Sequence, residues 1–150
     1  METSAQSPGV RQPVSTWPLW VCLAAWAVAF FLPAYAQKGN PQIMIGWKAA
    51  ALSAIAYMIP IYGQAWPANL FMLLAPFLRN RAQRGKGKVY FTLFAVAAIE
   101  PLGIPFHPAS MNESSVERLL VGYYVWQIAI LGAAAWYGWT LFRPPTTRSG

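Results

Sequence analysis

The sequence contains no aspartate, one cysteine (Cys22) and one histidine (His107), and only 10% of its 150 residues are charged. Each shortage removes a class of chemistry. A single cysteine inside an apolar run gives neither a disulfide framework nor a thiolate metal site. A single histidine excludes bis-histidine haem ligation and counts against zinc. Without aspartate the four acids are all glutamates, Glu2, Glu100, Glu113 and Glu117. No G-x-S-x-G, H-E-x-x-H or phosphate-cradling glycine loop is present. A serine–lysine dyad built on Ser53 would lack a basic residue inside an apolar segment. The residues therefore point to a non-enzyme with no metal and no cofactor.

What the chain has instead is apolar mass. Hydrophobic residues make up 57% of it, and the mean hydropathy is +0.36. Soluble domains average roughly 45–50% apolar and about 25% charged residues. Fifteen charged side chains, 11 basic and 4 acidic, could not cover a soluble surface while so much apolar material is buried. A bilayer removes that need. The net charge of +7 does not indicate nucleic acid, because the basic residues cluster between apolar runs, where they set topology and meet anionic headgroups.

Residues 1–16 read as a disordered polar tail. The run Trp17 to Ala36 is long enough to span, with Trp17, Trp20 and Tyr35 at its ends as interfacial aromatics. Ala34-Tyr35-Ala36 before Gln37 also fits a signal-peptidase site, so cleavage is a rival reading. Lys38-Gly39-Asn40-Pro41 is a turn. Ile43 to Leu78 is broken by Pro60, Gly63 and Pro67. It reads as a helix over about 44–62 and a short one from Pro67 to about Leu78, since proline suits a first helical turn. Residues 79–88 are the only dense charge block. Lys88 to Phe106 is the next span, ending at Pro101, Pro105 and Pro108. Ser114-Ser115-Val116-Glu117 matches a capping box opening a last helix that runs to about Phe142. The expected fold is all-α: a polytopic transmembrane helix bundle over 17–142 with five membrane segments, the third short, and a cytoplasmic tail at 143–150. The alternative has four spans, the second broken.

Charge counting orients the chain. With five segments one side holds Lys38, Lys48, Arg79, Arg81, Arg84, Lys86, Lys88, Arg143 and Arg148, and the other Arg11 and Arg118. With four, Arg11 changes sides and Lys38 and Lys48 leave, a split of eight to three. Either way the 79–88 loop and the C-terminus face the cytoplasm.

Glu100, within an apolar span, is the leading functional candidate, because intramembrane ionisable groups are costly; the plainer reading puts it near the outer interface, where Pro101 and Gly103 loosen the helix. Gln64, Asn69 and Gln127 complete a candidate intramembrane polar site, or simply join helices. Arg79, Arg81, Arg84, Lys86 and Lys88 are either topology determinants or an anionic-lipid contact. Trp66 and Gly122-Tyr123-Tyr124-Val125-Trp126 read as interfacial anchors, with a lipid or quinone-headgroup pocket as the alternative. Ala134 and Gly138 form a small-xxx-small pair suited to close packing or dimerisation.

Gly46-Trp47, Trp66-Pro67-Ala68-Asn69 and Gly122-Tyr123-Tyr124-Val125-Trp126 resemble the motifs of small multi-pass bacterial membrane proteins without an assigned activity. Leu70 stands where their short third helix has a proline. The resemblance implies a bacterial inner-membrane location. The expected function is binding within the bilayer, to a membrane-protein partner or as a homo-oligomer, with immunity to a membrane-targeting toxin as one version. A small transporter or channel using Glu100, and a lipid- or quinone-binding subunit, are the alternatives.

Overall fold

The computed structural model of the protein describes residues 14–37, 40–57, 66–99 and 116–142. The first helix, α1, covers Trp17–Ala29, with Pro18 in its first turn. The apolar run from Trp17 to Ala36 is not one helix, as expected, but a helix followed by strand β1, Pro33–Gln37. Pro33 explains the break: it has no N–H to donate, and in a continued helix its ring would strike the carbonyl of Ala29.

Strand β1 is the middle of a three-stranded antiparallel sheet, ordered β2-β1-β3, with β2 at Asn40–Ile45 and β3 at Val116–Leu119. Tyr35 faces Met44 on one side and Leu119 on the other. This sheet departs from the all-α expectation. Val116 and Glu117 belong to β3 rather than to a capping box, and the last helix starts later, at Val121. Among the described residues the fold is nevertheless mostly helical, with five α-helices.

Helix α2, Gly46–Tyr57, follows β2 directly. Its first amides have no intrahelical acceptor, and the last carbonyls beyond α1 have no donor. The two ends satisfy each other: Gly46 N–H donates to Leu32 at 2.9 Å and Trp47 N–H to Phe30 at 2.8 Å. A side chain at residue 46 would collide with the Ala29 carbonyl, so glycine is required for this approach.

Helix α3, Trp66–Arg81, begins at the expected proline and extends past Leu78 into the basic block. A π-helical turn, Ala82–Lys86, then leads into α4, Gly87–Ile99. In a straight helix Phe71 and Phe94 would lie roughly 35 Å apart. Their rings are 5.8 Å apart, so α3 and α4 form a hairpin with residues 79–88 at its tip.

Helix α5, Val121–Phe142, runs through the middle of the bundle. Trp136 Nε1 donates to Ser15 O beside the start of α1, whereas Gly122 meets the carbonyls of Leu32 and Pro33 beyond its end. The two helices are therefore antiparallel. Gly87 abuts Thr140 and Leu141, and Gln127 bonds Ala98, so α4 and α5 are antiparallel too. The bundle has a turn end (residues 14–20, 79–88 and 136–142) and a sheet end. Gln83 Nε2 donates to Val14 O at 3.1 Å. This places the start of α1 beside the 79–88 turn, whereas the five-segment arrangement puts them on opposite faces. Lys48 lies at the sheet end.

The core is aromatic and alanine-rich. Tyr137 stacks on Phe94 at 4.7 Å and lies beside Tyr90 at 6.0 Å, over the buried Met72, Ala75, Ile130 and Ala133. Of the described helices only α5 is both long and apolar enough to cross a membrane alone; α1 and α4 are apolar but shorter. Residues 17–36 are integral to this arrangement, α1 packing on α5 and β1 pairing on both edges.

A methyl group at residue 122 would stand 2.7 Å from the Pro33 carbonyl oxygen, a backbone atom of the strand that pairs with β2. Gly122→Ala is expected to lose about 1–3 kcal/mol through overpacking. Denaturation of the detergent-solubilised variant beside the wild type measures it, and equal stability would contradict the close approach described.

Candidate functional site

The buried polar groups sit where helices meet. Asn69, one turn into α3 and only 3% exposed, accepts two hydrogen bonds on Oδ1. One comes from Trp26 Nε1 of α1 at 3.0 Å, the other from Trp126 Nε1 of α5 at 2.8 Å. Three helices thus converge on one carbonyl oxygen. An indole N–H in an apolar segment needs an acceptor, and the apolar runs offer few besides Asn69, Gln127 and Gln64. Trp26 was not singled out in the sequence, and Trp126 only as an interfacial aromatic; the shortage of acceptors is the signal that could have found the pairing.

Gln127, 5% exposed, donates from Nε2 to Ala98 O at 2.6 Å. Ala98 lies near the end of α4, Gly87–Ile99, so the amide joins α5 to that part of α4. The contact also fixes the amide orientation, because an oxygen could not sit so close to a carbonyl oxygen. Gln127 Oε1 is buried and has no hydrogen-bond donor among the described residues. Gln64 and Glu100 lie outside the described residues.

Polar contacts at the turn end also run to backbone carbonyls. Tyr137 Oη donates to Ala75 O at 2.9 Å, next to Pro76, and Thr140 Oγ1 back-bonds to Tyr137 O at 2.7 Å. Of the basic block, Arg79 lies over the Trp20 ring at 5.6 Å, while Arg81, Arg84, Lys86 and Lys88 are exposed. The single described acid, Glu117, is in β3 at the other end.

The three motifs noted in the sequence converge at the sheet end. Gly46-Trp47 caps the carbonyls beyond α1, Asn69 receives the two indoles, and Gly122 admits the Leu32–Pro33 backbone against α5. Trp126 is therefore a bonded core residue, while Tyr124 faces outward, 53% exposed. The Ala134–Gly138 pair faces inward, Ala134 buried and Gly138 3.0 Å from the Phe91 ring of α4 if given a methyl group. It serves packing within the chain and is not open to a second copy.

No group of three or more His, Cys, Asp or Glu residues comes together among the described residues. No protein-family model, curated protein or solved structure matches the chain.

Asn69→Leu keeps the approximate shape and strands two indole donors. It is expected to cost about 1–3 kcal/mol, with a blue shift of tryptophan emission as the indoles lose their acceptor. Gln127→Leu also removes an orphaned acceptor and should cost less. Detergent unfolding of both variants tests this order, and a larger loss at Gln127 would reverse the assignment of the main polar link.

Proposed function

We propose that this is an integral membrane protein that crosses the bilayer four times and acts by binding within it, without catalysis. The observation that carries the reading is the exterior of the bundle. Between the turn end and the sheet end the outward residues are Trp20, Val21 and Val28 on α1, and Leu70, Leu73, Leu74 and Phe77 on α3. Val89, Leu93, Val96 and Ile99 continue the collar on α4, and Ile128, Leu131 and Trp139 on α5. Charged residues among those described flank this collar, at Lys48, Glu117 and Arg118 on one side and residues 79–88 on the other. Soluble monomers rarely expose contiguous apolar patches beyond a few hundred Å². Indoles at the borders, with Trp17 72% exposed, suit headgroup depth.

Length supports the same reading. Helix α5 rises about 33 Å and matches the ~30 Å hydrocarbon core. Helix α1 rises only about 20 Å, and the chain continues beyond it through residues 30–32 into β1. The common position of the α1 start and the 79–88 turn favours four crossings and the eight-to-three charge split. The turn and both chain ends then face the cytoplasm, in a bacterial inner membrane if the motif resemblance holds.

The chain should resist alkaline carbonate extraction, and single cysteines at Val14 and Gln83 should label from the same side, with Arg118→Cys labelling from the other. Carbonate release would remove the membrane reading, and opposite labelling of residues 14 and 83 would restore five segments.

One observation favours a second reading, a small transporter: Gln127 Oε1, without a donor among the described residues, lies near the end of α4, and Glu100 follows Ile99 in the sequence. On that reading Glu100→Gln abolishes proton- or ion-dependent flux in liposomes, and wild-type flux no higher than that of empty vesicles eliminates it.

A further inference from the structure

The outward face of α3 combines an apolar column with a basic cap that meets no carboxylate among the described residues. Leu70, Leu74, Phe77 and Arg81 follow one another at spacings of four, three and four, so they share one side of the helix. All four are exposed, Phe77 to 75%. Arg84 follows three residues later in the π-helical turn, also exposed. From Leu70 to Arg81 the helix rises about 17 Å, close to half of a ~30 Å hydrocarbon core.

The arginines of this segment are not equivalent. Arg79 is turned toward α1 and lies over Trp20, which leaves Arg81 and Arg84 as the outward-facing guanidiniums. The turn end has no described carboxylate to neutralise them. Trp17 and Trp20, at the same level, mark headgroup depth. Guanidinium suits this position because its planar fork grips phosphate oxygens in pairs.

We propose that this face is the seat of one anionic phospholipid of the leaflet on the turn side. Its acyl chain lies along Leu70, Leu74 and Phe77, and its head rests on Arg81 and Arg84. The proposal rests on the membrane reading above and names the lipid bound there. The matched length of the apolar column distinguishes a phospholipid from a free phosphate, which would need the two arginines alone.

The test is native mass spectrometry of the full-length protein in detergent, titrated with phosphatidylglycerol or phosphatidylcholine. The wild type should retain phosphatidylglycerol in preference. Each charge removed should weaken that binding about five-fold, so the Arg81→Gln/Arg84→Gln double variant should lose it about 25-fold while holding phosphatidylcholine as before. Phe77→Ala should weaken both lipids. Lys48→Gln, at the other end, should change neither. Circular dichroism checks that the variants stay folded. Unchanged phosphatidylglycerol binding in the double variant, an equal loss in Lys48→Gln, or full displacement by millimolar inorganic phosphate would each overturn the proposal. Equal retention of both lipids by a carbonate-resistant protein overturns this inference alone, whereas carbonate release overturns the membrane reading beneath it.

Discussion

The carbonyl oxygen of Asn69, shared by the indoles of Trp26 and Trp126, holds α1, α3 and α5 at a common level near the sheet end. Its importance follows from the apolar exterior. In lipid, apolar burial between helices supplies little net drive, and association depends on close packing and hydrogen bonds. The remaining polar side chains act in the same uncharged way. Gln83, Trp136 and Tyr137 each reach a backbone carbonyl on another segment, and Gln127 reaches the end of α4. Among the described residues, amides, indoles and a phenol tie the bundle together without the desolvation cost of a buried charge.

The sheet end solves a backbone problem. Pro33 stops α1, and a helix stopped there exposes carbonyls that need donors. The chain supplies them by bringing the start of α2 onto the same spot, with Gly46 and Gly122 allowing two backbones to close in. Strand β1 then continues outward with partners on both sides. The Gly46-Trp47, Trp66–Asn69 and Gly122–Trp126 motifs thus have a mechanical explanation in this fold: they make a short helix, a central strand and α5 fit together.

Much of the helical layout was legible in the sequence, because it follows from local features. Pro67 opens α3, the glycine- and arginine-rich 79–88 block reverses the chain, and the last apolar run ends at Phe142. The sheet was not legible, for two reasons. Hydropathy is blind to where a proline divides an apolar run, so Trp17–Ala36 looked like one span. The pairing of β1 with β3 also joins residues about eighty positions apart, and Ser-Ser-Val-Glu carries a local helix-start pattern that this distant pairing overrides. For the polar positions the chemistry was readable but the partners were not. Asn69 and Gln127 were expected to join helices; that one accepts two indoles and the other meets a helix terminus depends on which faces meet.

The interior also bears on binding versus transport. The described polar groups occupy two levels, Asn69 and Gln127 toward the sheet end and Thr140 and Gln83 toward the turn. Between them lies the cluster of Phe71, Phe94, Tyr90 and Tyr137, closed by stacking and by the Tyr137–Ala75 bond. A solute or proton path through the described bundle would have to open that cluster, breaking the Tyr137 bond and separating α3 and α4 from α5. Such packing resists continuous deformation. The exterior needs no such rearrangement to meet a ligand, since its apolar collar and basic rim are already exposed. That asymmetry, a closed aromatic centre inside an open apolar surface, is what the proposed binding role rests on in preference to transport.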